Sequence, residues 1–157
     1  MPDCSLIKNG IFIGNAHSVV GNPATHEADF LEELNIQVVI SALTEEEYED
    51  YMIAEEDFPN IEWTRFVIDD VASEKISKYF YEVNVIIGKA LSENKNVMVH
   101  CAAGMSRSPT LVIAYLMIAN HWRYEEAFNY VKRKRPLTEP NIGFVRQLKE
   151  LEAKIFG

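Results

Sequence analysis

One stretch constrains this chain more than any other: Asn96-Val-Met-Val-His100-Cys101-Ala102-Ala103-Gly104-Met105-Ser106-Arg107-Ser108-Pro109, running into Thr110-Leu-Val-Ile-Ala-Tyr-Leu-Met-Ile-Ala119. An apolar β-type run, a short polar turn and a helical apolar run follow one another with no room for an intervening element. Strand, tight loop and helix present a row of backbone N–H groups and a positive helix end to an anion. A cysteine opens the loop and an arginine closes it six residues later. Helix N-termini and neighbouring cations favour thiolate over thiol, so the position suits a nucleophile. The planar guanidinium of Arg107 can take two phosphate oxygens at once, which a lysine does less well. The expectation is a phosphate cradle formed by the amides of Ala102, Ala103, Gly104, Met105, Ser106 and Arg107, with Cys101 in its floor. The competing reading makes Cys101 a small buried hydrophobe at a strand end. The bare Cys-x5-Arg spacing does not separate the two; the flanking His100, Gly104, Ser106, Ser108 and Pro109 favour the cradle.

Cleaving a phosphate monoester through a cysteine needs a proton donor for the leaving oxygen, donors for the equatorial oxygens and a route to hydrolyse the phosphocysteine. Asp69 and Asp70 end a strand-like run, Ile61 to Ile68, that should border the same sheet edge. Spacing alone does not choose between them, because successive strand residues point opposite ways. Ser108 can donate to the cysteine sulfur or cap the following helix. His100 reads as a loop-orienting residue, since no second cluster of metal-type ligands accompanies it.

The rest of the chain alternates. Ile11 to Ile13 before Gly14-Asn15 reads as a short strand and turn. Asn22-Pro23 opens a helix with Ala28, Leu31 and Leu34 on one face. Gln37 to Ala42 is a buried-type strand. Ile76, Phe80, Val83, Ile87 and Leu91 keep helical spacing, and further helices are expected over Tyr124 to Arg135 and from about Asn141 onward. Such alternation implies α/β architecture: a central, mostly parallel β-sheet flanked by helices on both faces, within one domain spanning residues 1–157.

With these residues in view, His100-Cys101-Ala-Ala-Gly104-Met-Ser106-Arg107-Ser108 resembles the signature of the cysteine-dependent protein tyrosine phosphatases. The Gly-Met-Ser-Arg-Ser-Pro form followed by Ala-Tyr-Leu-Met is most similar to the dual-specificity phosphatases. Phe12 stands where that family's opening strand usually has tyrosine, and Arg135 to Leu148 is similar to its last helices. The resemblance implies a dual-specificity-phosphatase-like fold without cofactor or metal. It also implies a catalytic set of Cys101 as nucleophile, Arg107, Asp70 as general acid (ten residues before Phe80, the family's interval) and Ser108 assisting thiolate departure, supported by His100. Lipid-directed relatives commonly carry basic residues where this loop has Ala102, Ala103 and Met105. The RNA-triphosphatase branch tends to have Asn-Arg-Thr in place of Ser106-Arg107-Ser108. The expected client is a phosphorylated protein, a kinase among the candidates; the alternatives are a phospho-binding module that keeps the cradle without turnover and a phosphatase of RNA or small-molecule phosphates.

Charge agrees with that choice. The net charge is −9, and eight acids without a basic residue lie between Thr44 and Asn60. This balance argues against nucleic acid and anionic membranes as partners. The acidic stretch reads as a solvated loop or short helix, or as a docking surface for a basic segment. Two cysteines make no disulfide framework, so a reducing compartment, cytoplasmic or nuclear, is expected and Cys4 reads as an incidental thiol in a mobile terminus. The run Lys132-Arg-Lys-Arg135 reads as complementing a helix C-terminus, with a second phosphate site or a nuclear address as alternatives.

Overall fold

The structure of the protein, a computed structural model, describes residues 1–20 and 30–157. The run Asn96–His100 forms β5 at the centre of a five-stranded sheet of order β1-β2-β5-β3-β4, with β1 Cys4–Lys8, β2 Ile11–Gly14, β3 Ile36–Leu43 and β4 Glu62–Val67. The β2·β5, β5·β3 and β3·β4 pairs are parallel, and only the edge pair β1·β2 is antiparallel. A central parallel strand is covered on both faces, which is why β5 is buried from Val97 to His100 and carries no exposed alternate residue.

Two helical layers supply the cover. On one face lie α3 Phe80–Ser92, α4 Arg107–Asn120, α5 Tyr124–Lys134 and α6 Ile142–Phe156. They pack Phe80, Val83, Ile87, Leu116, Val131, Phe144 and Leu148 against Ile13, Ile40, Val97 and Val99. The other face is thinner. There α1 Phe30–Glu33 and α2 Glu45–Asp50 cover Val39, Leu43 and Met98 with Leu31 and Tyr48. Helix α4 is buried at every residue from Arg107 to Met117, a helix apolar nearly all round because other helices surround it. The α/β sandwich expected from alternation is thus present.

Details depart from the sequence reading at Ile76–Tyr79 and at Cys4–Lys8, and one expectation lies outside the described residues. Ile76–Tyr79 is a 3-10 turn that leads into α3 rather than its first turn. The helix start at Asn22-Pro23, with Ala28, lies outside the described residues; Leu31 is buried in α1 and Leu34 follows it half-buried. The segment Cys4–Lys8 is an edge strand, not a mobile terminus. Its short length and the exposed Leu6 gave no alternating pattern to read. Cys4 itself is half-buried opposite Gly14, and burial pushes its thiol up against the opposing pull of Arg135.

Register places the site. His100 lies level with Gly14 of β2 and Ser41 of β3, so the loop after β5 emerges between the C-terminal ends of two parallel neighbours. The crevice beyond strand C-termini is where open α/β sheets bind ligands.

Candidate active site

The loop from Cys101 to Ser106 is held from outside by its carbonyls. His100 Nδ1 meets the Cys101 carbonyl at 3.2 Å, and the Ala16 N–H donates to the Ala102 carbonyl at 3.0 Å. Arg135 donates through Nη2 to Ala103 (3.4 Å) and through Nε to Gly104 (2.8 Å). The Glu139 N–H takes the Met105 carbonyl at 2.7 Å, and Thr110 takes that of Ser106 with its N–H and its hydroxyl. With the carbonyls turned outward the amides turn inward. Among the described residues no group accepts from the N–H of Ala102, Ala103, Met105 or Ser106, while the Gly104 N–H points at Cys101 Sγ, 3.3 Å away. Successive free amides around a concavity form an anion nest.

Gly104 is required here. Its φ is +71°, and a side chain on it would strike Arg135 Nη2 and the Gly14 carbonyl. Helix α4 begins at once with Ser106 in the cap position and no side-chain cap, so its first N–H groups stay open toward the loop. Ser108 is therefore not the cap. Its hydroxyl lies 3.2 Å from Cys101 Sγ, and Cys101 is only 2% exposed.

Arg107 is buried and oriented by a residue the sequence reading had placed in a solvated acidic stretch. Glu47 Oε1 and Oε2 accept from Arg107 Nη1 (2.6 Å) and Nη2 (3.0 Å), and Nη1 also donates to the Ile68 carbonyl at 3.0 Å. Arg107 Nε has no partner. The fork is thus divided: the Nη1/Nη2 edge grips Glu47, and the Nε/Nη2 edge is left for a ligand. Burial works against the Arg107 charge, but Glu47, then Cys101 and Asp70, outweigh it and raise its pKa. Conversely, the hydrogen bonds from Arg107 hold the Glu47 carboxyl below its ordinary range. Glu47 reaches this place because Thr44 and Glu47 form a capping box directly after β3. The Thr-x-x-Glu pattern was the available signal. Glu55 is likewise engaged, pairing with Arg65, so the acidic stretch is partly structural.

Asp70 and Asp69 follow β4, and both side chains are exposed. Asp70 Oδ1 accepts from Asn141 Nδ2 at 2.9 Å, and Asp70 is the one that bears on Arg107. The Asp69 backbone N–H is held by Glu74 Oε1 at 2.8 Å. Sequence reasoning missed Glu47, Asn141 and Arg135. Arg135 is fully buried, bonded also to Asp3 and Ser5, so it is closed to a second phosphate or an import receptor; Lys132, Arg133 and Lys134 do sit in the last turn of α5. No group of three His, Cys, Asp or Glu among the described residues could hold a metal ion, and no described helix is long and apolar enough to cross a membrane.

His100 is fully buried, and its tautomer follows from its partners. A carbonyl only accepts, so Nδ1 carries the proton toward Cys101 O and Nε2 accepts from the Ser41 hydroxyl at 2.7 Å. Burial, foremost, pushes its pKa down to about 4. In the unfolded chain a histidine titrates near 6.5, so between those values the unfolded state binds the extra proton and stability rises with pH. Urea unfolding should therefore show stability lost as pH falls from about 6.5 to about 4, by at most about 3 kcal/mol from this residue. Glu47 adds loss in the same direction at lower pH, since its folded-state pKa is depressed. His100→Gln, which cannot titrate, should flatten the upper part of that slope; an unchanged slope would contradict the buried neutral imidazole.

The family model described as "Dual specificity phosphatase, catalytic domain" matches residues 19–154. Dual specificity protein phosphatase 14 of Mus musculus is 36% identical over 151 residues, covering 96% of this chain and 70% of that protein. Tyrosine-protein phosphatase yvh1 of Schizosaccharomyces pombe is 49% identical over 82 residues, 52% of this chain and only 25% of the relative. Among solved structures, the human tyrosine phosphatase-like serine/threonine/tyrosine-interacting protein superposes with a TM-score of 0.87 at 29% identity, covering 98% of both chains. A mouse putative dual specificity phosphatase complexed with zinc tungstate gives 0.82 at 25% identity, over 97% of this chain and 87% of the other. With the family model covering most of its length, this chain belongs to the dual-specificity phosphatase catalytic-domain family.

Proposed function

We propose that this chain, as one domain over residues 1–157, hydrolyses phosphotyrosine and phosphoserine/threonine on proteins through a phosphocysteine intermediate, without a metal. The observation that carries the reading is the inward row of free loop amides around Cys101 Sγ, with the unpartnered Nε of Arg107 beside it. Amides and the guanidinium edge bind the phosphoryl oxygens and stabilise the charge that spreads over them in flight. Cys101 Sγ attacks phosphorus as the bond to the leaving oxygen breaks, and Asp70 gives that oxygen its proton. Asp70, now a carboxylate, takes a proton from water. The water oxygen forms the new bond to phosphorus, and the S–P electrons return to sulfur. The Ser108 hydroxyl at 3.2 Å can donate to the departing thiolate.

Support for a protein client comes from the loop's uncharged Ala102, Ala103 and Met105 and from the net charge of −9, which offer little to a polyanionic lipid headgroup or RNA. A substrate panel tests this. Phosphotyrosine and phosphothreonine peptides should both turn over, with phosphoinositides and RNA 5′-triphosphates far slower. A reversed order would overturn the client class.

A further inference from the structure

A single residue ties the phosphate loop to the carboxylate that the proposed function makes the proton donor. Asn141 precedes α6 and makes three separate bonds there. Its backbone N–H donates to Ser106 Oγ at 3.0 Å, in the phosphate loop. Its Oδ1 accepts from the Phe144 N–H at 2.9 Å and caps the helix. Its Nδ2 donates to Asp70 Oδ1 at 2.9 Å. The capping bond settles the orientation of the amide, because the Phe144 N–H can only donate; the NH2 group must then face Asp70.

The neighbouring residues of α6 hold the same loop. A side chain at Gly143 would lie 2.0 Å from the Ala72 carbonyl oxygen, so the helix backbone and the Asp70 loop are in direct contact. Gln147 Nε2 donates to the Glu74 carbonyl, and Gln147 Oε1 accepts from the Ser77 N–H, both at 2.9 Å. The first two turns of α6 thus pin residues 70–77 along their length. Among the described residues Asn141 alone hydrogen-bonds the Asp70 carboxyl.

We propose that Asn141 is a positioning residue for proton transfer: by donating to Oδ1 it leaves Oδ2 as the oxygen that carries the proton, and it fixes that oxygen at a set distance from the phosphate loop. An oxygen that accepts an amide N–H is poorly placed to hold a proton in the same direction, so the acid presents one face to the leaving group. Among the described residues Arg107, Glu47 and Cys101 make no hydrogen bond to Asn141; its side-chain amide serves Asp70 and the helix cap, while its backbone N–H holds Ser106.

The inference rests on Asp70 being the proton donor, and the test keeps the two apart. Asn141→Ser keeps an N-cap oxygen and loses the donor to Asp70. Native chain, Asp70→Asn and Asn141→Ser are compared by kcat/KM on aryl phosphates whose leaving phenols run from strongly to weakly acidic, together with their melting midpoints. A weakly acidic phenol needs the proton and a strongly acidic one does not. Asp70→Asn should show a deficit that grows as the phenol becomes less acidic. Asn141→Ser should follow the same trend, falling about tenfold on phenyl phosphate. Asn141→Asp, which keeps the cap and sets a second carboxyl against Asp70, should fall further on the same substrate. A deficit in Asn141→Ser that is equal across the series, or none at all, overturns the positioning role while leaving Asp70 as the acid. A flat series for Asp70→Asn overturns the assignment of the acid and the inference with it.

Discussion

Cys101→Ser is expected to abolish turnover of aryl phosphates and phosphopeptides, by about 10⁵-fold or more. The serine hydroxyl replaces a soft, nucleophilic sulfur with a group that has no base beside it: His100 is turned away, its two nitrogens held by Cys101 O and Ser41 Oγ. The cradle should survive the change, because its carbonyls are fixed by Ala16, Arg135, Glu139 and Thr110 rather than by the thiol. The variant should accordingly still bind a phosphotyrosine peptide, measured by calorimetry. Retained binding with lost turnover distinguishes the nucleophile from a structural thiol; loss of both would indicate that sulfur shapes the loop.

Arg107→Lys should give the second large effect, a loss of about 10³-fold in kcat. Lysine keeps the charge but has no planar fork, and two edges are in use here. One grips both oxygens of Glu47, and the other carries an unpartnered Nε. Glu47→Gln should be milder, about 10- to 100-fold, since the amide keeps one acceptor and the capping-box position. Glu47→Ala leaves the buried guanidinium without its partner and should destabilise the fold by about 1–3 kcal/mol. Added inorganic phosphate should recover part of that loss by linkage, since it binds the folded cradle alone. If Glu47→Ala matched the native chain in both rate and stability, the fork would not depend on its carboxylate partner.

These effects divide along a line that also separates what the sequence made legible. The loop, its nucleophile and its arginine lie within a few consecutive residues, where local geometry follows from local pattern. Strands β3 and β5 and helix α4 read as apolar runs bounded by polar turns, and helices α3, α5 and α6 keep 3.6-fold apolar spacing, so all were readable from local pattern. Glu47, Arg135 and Asn141 act across 60, 31 and 71 residues of chain. Nothing in their own neighbourhoods announces a partner so far away. Glu47 sat among seven other acids, and Arg135 closed a basic run that reads as a helix end. Asn141 had the form of an ordinary cap, which it also is. The edge strand β1 was missed because a short, one-sided strand pairs through its backbone and leaves little trace in side-chain pattern. Once folded, Ser5 of this strand and Asp3 just before it hold Arg135, so the start of the chain bears on the loop near its middle.

The central claim is a covalent phosphocysteine on Cys101. Its most direct test is to mix Asp70→Asn with an excess of an aryl phosphate whose phenol is strongly acidic and leaves without a proton, quench within the first turnover and weigh the peptide that contains residue 101. Slowed hydrolysis in the absence of the carboxylate should let the intermediate accumulate, and that peptide should carry one phosphate on sulfur. The same experiment with Cys101→Ser should show none. A Cys101 peptide unmodified at every quench time, while phenol and phosphate are still released from that aryl phosphate, would contradict the two-step route.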